Sequence, residues 1–266
     1  MFLTLLLYLV LGAVAGVVAG LFGIGGGLLI VPVLIFSFAA QGMSPDVLTH
    51  AAVATSLATI VVTSISSVRA HHKRGAVRWD LFKPISVGIL VGAFLGVKVA
   101  GMMPGSLLQV VFGVFALCVA VQMGFGIKPS AGTEPPSSVT LSVGGGFIGG
   151  LSTIFGIGGG TLTVPFLSWK RVQMQQAVAT SAACGLPIAV MGALTNVWEG
   201  WGHAQTDEWS LGYVYLPAFV GIVITSSLCA KFGARMAHSL PAPMLKRYFA
   251  VFLLCVGTYL IGKNLY

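Results

Sequence analysis

One glycine motif interrupts this apolar chain twice. GLFGIGGGLLIVPVL occupies residues 20–34 and STIFGIGGGTLTVPFL occupies residues 152–167, which places the two GIGGG runs 133 residues apart. Glycine permits positive φ angles, and proline cannot donate a backbone hydrogen bond to the preceding turn. The sequence therefore predicts a helix break at the same point in each half of the chain.

The amino-acid composition indicates the environment in which these motifs lie. The 266 residues are 56% hydrophobic and 8% charged, whereas a soluble domain carries about 25% charged residues. Apolar runs near the length of a membrane-spanning helix, about 20 residues, recur along the sequence. Full-length candidates include residues 84–101, 105–126, 139–155 and 174–195. We therefore predict an all-α integral membrane protein.

Several function classes find no support in the residues. The net charge of +8 comes mostly from Lys and Arg in short loops, without the basic face or aromatic platform of a nucleic-acid-binding protein. The four cysteines stand singly, without the spacing of a metal site. Phosphate-binding loop motifs are absent from the sequence. We expect no nucleic-acid partner, no metal, no cofactor and no enzymatic activity.

The two halves resemble each other beyond the glycine motif. AVATS occurs at residues 52–56 and again at 177–181, and VFGVFALCV at 111–119 corresponds to YFAVFLLCV at 248–256. Three matches in the same order indicate an internal duplication. The predicted organisation is an N-terminal transmembrane repeat at 1–127, a linker at 128–138 and a C-terminal transmembrane repeat at 139–266.

Loop charges predict that the repeats have opposite orientations. Residues 69–83 hold five Lys or Arg, and the corresponding loop at 196–209 holds none. The positive-inside rule places the first loop in the cytoplasm and the second outside, across the cytoplasmic (inner) membrane. Loops on opposite sides of the membrane are separated by an odd number of crossings, but the full-length candidates between these two loops number four. Counting the short segment after each glycine motif as a further crossing gives five membrane segments per half. Four per half is the alternative, with residues 24–40 and 157–169 re-entrant, so the total is 8 to 10.

Broken helices in inverted repeats are where secondary transporters bind substrate, and helix N-termini attract anions. Hydroxyl and amide groups next to the motifs would add donors. The candidate substrate-binding residues are Gly23, Gly25, Gly26, Gly27, Thr55, Ser56, Gly156, Gly158, Gly159, Gly160, Thr161, Thr180, Ser181 and Asn196. The alternatives are close helix packing for the glycines, hydrogen bonds within their own helix for the hydroxyls, and interfacial capping for Asn196.

Few charged or titratable residues interrupt the apolar runs. His50 opens the segment that carries AVATS and is a candidate proton relay, with an interfacial position as the alternative. Lys98 lies near a segment end and is expected to extend to the interface. All six acidic residues fall in predicted loops, which argues against a carboxylate relay of the kind found in many pumps.

These motifs resemble the TauE/SafE sulfite exporter family of TSUP-type membrane anion transporters. The resemblance rests on FGIGGGLLIVP, FGIGGGTLTVP, the AVATS segments and the KRGAVRW loop at 73–79, and it covers essentially the whole chain. It implies a carrier of small sulfur-containing anions such as sulfite, thiosulfate or organosulfonates such as sulfoacetate, commonly coupled to the proton gradient. A carrier or channel for other small anions, such as carboxylates, is the alternative. The anion, the direction of transport and homodimer formation stay open, and membrane lipid is the expected surrounding.

Overall fold

Ten helices and one short hairpin make up the described residues. The computed structural model describes residues 2–22, 26–125, 137–202, 208–236 and 242–265. The elements are α1 (Phe2–Phe22), α2 (Gly27–Ala40), α3 (Pro45–Lys73), α4 (Trp79–Gly101), α5 (Gly105–Gly124), α6 (Ser138–Ile154), α7 (Gly160–Trp169), α8 (Met174–Glu199), β1 (Ser210–Leu211), β2 (Val214–Tyr215), α9 (Leu216–Met236) and α10 (Ala242–Leu265). The two strands pair antiparallel.

The helices have the length and composition of membrane spans. Among the described residues, five helical stretches are long and apolar enough to cross a bilayer: all of α3, α4, α5 and α8, and Arg247–Leu265 within α10. Shorter apolar stretches lie in α1, α2, α6 and α9. The prediction of an all-α integral membrane protein is confirmed.

Both glycine motifs interrupt helices, as predicted. α1 ends at Phe22 and α2 begins at Gly27, preceded by Gly26 with a φ of 73°. α6 ends at Ile154, Gly156 has a φ of 64°, and α7 begins at Gly160. With 14 and 10 residues, α2 and α7 are about 21 and 15 Å long. Each is therefore shorter than the hydrocarbon core, which is about 30 Å thick.

Glycine contacts bring two pairs of helices close together in parallel. A Cβ atom at Gly88 of α4 would overlap the Ser142 carbonyl oxygen of α6. Two turns further along both helices, a Cβ atom at Gly96 would overlap the Gly150 carbonyl oxygen. α1 packs along α9 in the same manner, with Gly16 against the Ser226 backbone. Small residues therefore allow these backbones to approach closely, as in many membrane helix pairs.

Two further pairs of helices run antiparallel. Gly185 of α8 lies next to Ser64 of α3, whereas Gly192, further along α8, lies next to Leu57, earlier on α3. α5 and α10 are also antiparallel, as shown by the pairs Gln109–Asn264 and Gly113–Gly257. α2 packs against α3 in the interior of the protein, and ten of the fourteen residues of α2 are buried. Helices that are apolar all round are buried in this way, and Gly26 and Gly27 at the start of α2 are buried with it.

Candidate functional site

The two glycine motifs meet inside the protein. A Cβ atom at Gly27 would lie 2.5 Å from the Gly156 carbonyl oxygen and 2.8 Å from Ile157 Cα. Only glycine fits here without displacing backbone. The first turn of α2 therefore contacts the segment that leads into α7.

Helices α3 and α8 hold the second motif on either side. The Ser56 hydroxyl of α3 donates a 2.7 Å hydrogen bond to the Gly156 carbonyl oxygen. A Cβ atom at Gly159 would lie 3.1 Å from both the Gly185 nitrogen and the Ser181 carbonyl oxygen of α8. The segment between α6 and α7 is therefore fixed by both halves of the chain.

The N-terminus of α7 presents unpaired backbone donors. The Thr163 amide donates to the Gly159 carbonyl oxygen at 2.8 Å. Within the described part of the chain, no acceptor takes the amide hydrogens of Gly160, Thr161 or Leu162. Three free N–H groups at the positive end of a helix dipole form a site suited to an anion.

Three buried hydroxyls adjoin this helix end in sequence and lack partners. Among the described residues, Ser152 Oγ, Thr161 Oγ1 and Thr163 Oγ1 are buried without a hydrogen-bond partner, and the Ser152 and Thr163 side chains are fully buried. Leaving a buried hydroxyl unsatisfied costs about 1–3 kcal/mol. The N-terminal copy has apolar Ala19, Leu28 and Ile30 at the corresponding positions. The polar groups are therefore a feature of the second motif alone, and they point to a ligand.

Ser152 was not among the predicted site residues. Its sequence signal is the alignment of a hydroxyl in STIFGIGGG with Ala19 in AGLFGIGGG. A comparison of the two copies position by position, rather than of their shared glycines, identifies it.

Thr55 and Thr180 hold the beginnings of other helices. Thr55 Oγ1 accepts a 2.9 Å hydrogen bond from the amide of Tyr215, directly before α9. Thr180 Oγ1 accepts a 3.0 Å bond from the amide of Arg78, directly before α4. The two threonines occupy the same place in AVATS, and each satisfies an amide at a helix start in the opposite half. Each hydroxyl keeps its own proton for a further acceptor.

Of the predicted residues on α8, Ser181 lies beside the second glycine motif and Asn196 lies far from it. Ser181 Oγ donates to the Val178 carbonyl oxygen of its own helix at 2.9 Å, although its backbone contacts the motif. Asn196 Nδ2 donates to the Gly192 carbonyl oxygen at 2.8 Å. Asn196 lies about 22 Å along α8 from Ser181. The structure therefore brings Gly26, Gly27, Ser56, Gly156, Gly158, Gly159, Gly160, Thr161 and Ser181 together but not Asn196. Gly23 and Gly25 lie outside the described residues.

Lys98 has a partner that its position in the sequence does not reveal. Lys98 Nζ of α4 pairs with the Glu199 carboxylate at the end of α8. The same ammonium group lies 5.3 Å from the centre of the Trp198 ring. This ion pair joins α4 to α8 at the end of the molecule that contains the hairpin.

Comparisons with known proteins show which family the chain belongs to. The family described as sulfite exporter TauE/SafE matches residues 8–260. A probable membrane transporter protein of Haemophilus influenzae is 39% identical over 99% of this chain and 100% of its own. A probable membrane transporter protein of Methanocaldococcus jannaschii is 28% identical over 98% and 97% of the respective chains. No solved structure matches the chain. The chain therefore belongs to the sulfite exporter TauE/SafE family and is an integral multi-pass membrane transporter of that type.

Proposed function

We propose that the protein is a secondary transporter that moves small sulfur-containing anions across the cytoplasmic membrane by alternating access, coupled to protons. Its substrates in this proposal are sulfite, thiosulfate or organosulfonates such as sulfoacetate. The observation that carries the proposal is the helix end at Gly160, where unpaired amides adjoin unpartnered buried hydroxyls.

The chemistry of this helix end suits an oxyanion. Sulfite and sulfonates present three oxygens, each of which accepts hydrogen bonds. The amides of Gly160, Thr161 and Leu162 and the hydroxyls of Thr161 and Thr163 are donors on or beside the same helix turn. Neutral donors and the helix dipole attract an anion without the desolvation cost of a fixed buried cation.

The helix packing supports an inverted repeat. If α1–α5 and α6–α10 are the two copies, the equivalent pairs are α3 with α8 and α5 with α10. Both pairs run antiparallel, which is the relation expected of copies inserted in opposite orientations. The parallel pairs α1–α9 and α4–α6 also exchange with each other under the same symmetry. In this proposal loop 69–83 is cytoplasmic, loop 196–209 is external, and one half rocks against the other.

A carrier or channel for small carboxylates is the alternative, because amide and hydroxyl donors also bind a carboxylate. A carboxylate has two oxygens in one plane, whereas a sulfonate has three in a pyramid. The clustered donors favour the three-oxygen group. We propose no enzymatic activity.

Uptake by proteoliposomes tests the proposal. Purified protein is reconstituted, and the uptake of labelled sulfite, thiosulfate, sulfoacetate and acetate is measured with and without a pH gradient. We expect saturable uptake of a sulfur anion, faster with the gradient, and little uptake of acetate. Equal uptake of acetate would remove the sulfur assignment, and uptake of none of the anions would refute the proposed substrates.

Two site variants and one control locate the route. Gly26→Leu forces a side chain onto a residue with a φ of 73°, and Gly159→Leu places one against α8. Gly262→Leu is the control, because a Cβ atom there meets nothing within 4 Å. We expect uptake to be lost in the first two variants and kept in the third, in protein that elutes as a single folded species.

A further inference from the structure

His50 makes two contacts that a neutral imidazole cannot both satisfy. Nδ1 lies 3.2 Å from the Asp46 carbonyl oxygen, one turn earlier on α3. Nε2 lies 3.0 Å from the Ala100 carbonyl oxygen, near the end of α4. The His50 side chain is buried. Both neighbours are therefore acceptors at hydrogen-bond distance from a residue that is 7% exposed.

The protonation state decides how many of these bonds form. A neutral histidine carries one N–H and one lone pair, whereas the imidazolium carries two N–H donors. In either neutral tautomer, one ring nitrogen would point its lone pair at a carbonyl oxygen, which also carries lone pairs. Both contacts are hydrogen bonds only when His50 holds a second proton.

The surroundings of the ring contain a favourable dipole and more negative than positive side chains. The Ala100 carbonyl belongs to the last turn of α4, and the C-terminal end of a helix attracts cations. On α3, Asp46 lies one turn before His50; on α4, Lys98 is paired with Glu199 of α8. The Tyr213 ring, between β1 and β2, has its centre 5.5 Å from that of His50.

Tyr213 contributes no charge at this end of the molecule. Burial, with a smaller effect from the Glu199 carboxylate, raises the pKa of the Tyr213 phenol above its ordinary value. The phenol therefore stays neutral at physiological pH. The Lys98 and Glu199 charges offset each other, so a proton on His50 offsets the charge of the Asp46 carboxylate, one turn earlier on α3.

We propose that His50 is a proton-binding site whose second proton ties the start of α3 to the end of α4. Loss of that proton from Nε2 replaces a hydrogen bond to Ala100 with a repulsion between lone pairs, and the proton passes to water. The bond from Nδ1 stays within α3, so the contact between the helices is the one that protonation controls. This inference rests on the proposed function only where it assigns the coupled proton of transport to His50.

Nitrogen NMR tests the proton site without reference to transport. Protein labelled with ¹⁵N-histidine is measured between about pH 5 and 8, where histidines change charge. The His50 signals are assigned as those missing from His50→Gln. We expect a form of His50 in which both ring nitrogens carry a proton, since this is the form in which both contacts are hydrogen bonds. A single neutral tautomer of His50 throughout the range would overturn the proposal.

Transport by the same variants tests the coupling. His50→Gln should keep exchange of the sulfur anion across the membrane but lose its acceleration by a pH gradient. His72→Gln, changed in the same way on an exposed residue at the other end of α3, should keep the acceleration. Unchanged acceleration in folded His50→Gln would overturn the coupling. If wild-type protein moves no sulfur anion while His50 is doubly protonated, the proposed function fails and the proton site stands.

Discussion

Replacing Thr163 with valine should move stability and substrate affinity in opposite directions. Within the described residues the Thr163 hydroxyl is fully buried and has no hydrogen-bond partner. An unsatisfied buried hydroxyl costs about 1–3 kcal/mol, and valine has nearly the same shape without the polar atom. We therefore expect Thr163→Val to raise the free energy of unfolding of the substrate-free protein by about 1–3 kcal/mol.

Affinity should fall because the hydroxyl is proposed to bind the anion. A hydrogen bond to a charged group contributes about 1.5–3 kcal/mol. Its loss corresponds to a roughly 10- to 150-fold higher Kd for sulfite or thiosulfate, at about 1.4 kcal/mol for each tenfold change. Because the unpaired hydroxyl destabilises the empty protein but binds the anion when one is present, its removal should raise the free energy of unfolding and lower the affinity.

Two measurements on one preparation check the prediction. Unfolding in mixed detergent gives the free energy of unfolding, and titration with thiosulfate gives the Kd. Thr195→Val is the matched control, because Thr195 is also buried but donates a 2.8 Å bond to Met191 of its own helix. The control should not gain stability and should keep its affinity. A Thr163→Val protein with lower stability and unchanged affinity would refute the role of this hydroxyl.

Three further predictions concern packing, helix starts and topology. Gly145→Ala should lower the free energy of unfolding by about 1–3 kcal/mol because its methyl group would overlap the backbone of α4. The neighbouring Gly146→Ala, with its nearest atom at 3.7 Å, should raise it by up to about 1 kcal/mol in the same unfolding measurement. Thr180→Val leaves the Arg78 amide before α4 without its acceptor and should lower the free energy of unfolding by about 1–3 kcal/mol. An unchanged free energy of unfolding would show that water replaces the hydroxyl. Cysteines at Gly75 and Gln205 should react with an impermeant maleimide from opposite sides of the membrane, and labelling from one side would exclude inverted halves.

The sequence predicts the helices well because the bilayer sets their length. Predicted segments 105–126 and 139–155 correspond to α5 at Gly105–Gly124 and α6 at Ser138–Ile154. The break at each glycine motif was also predictable, since the same glycine run with a following proline recurs at the corresponding point of each half. Predictions of this kind depend on the composition of neighbouring residues along the chain.

Contacts between distant parts of the chain were not predictable in the same way. Glu199 lies 101 residues from Lys98, and its place at the end of α8 rather than in a loop depends on where that helix stops. The amide of Tyr215 reaches Thr55 across 160 residues. Two-residue strands such as Ser210–Leu211 are too short to show an alternating pattern. Spacing along one chain does not reveal which helices pack together.

Counterflow in proteoliposomes shows whether the protein is a carrier for small sulfur anions. Vesicles loaded with unlabelled thiosulfate are diluted into a trace of labelled thiosulfate, and internal label is followed with time. We expect a transient accumulation above equilibrium that external sulfite suppresses and external acetate does not. Simple equilibration without accumulation, or equal suppression by acetate, would contradict it.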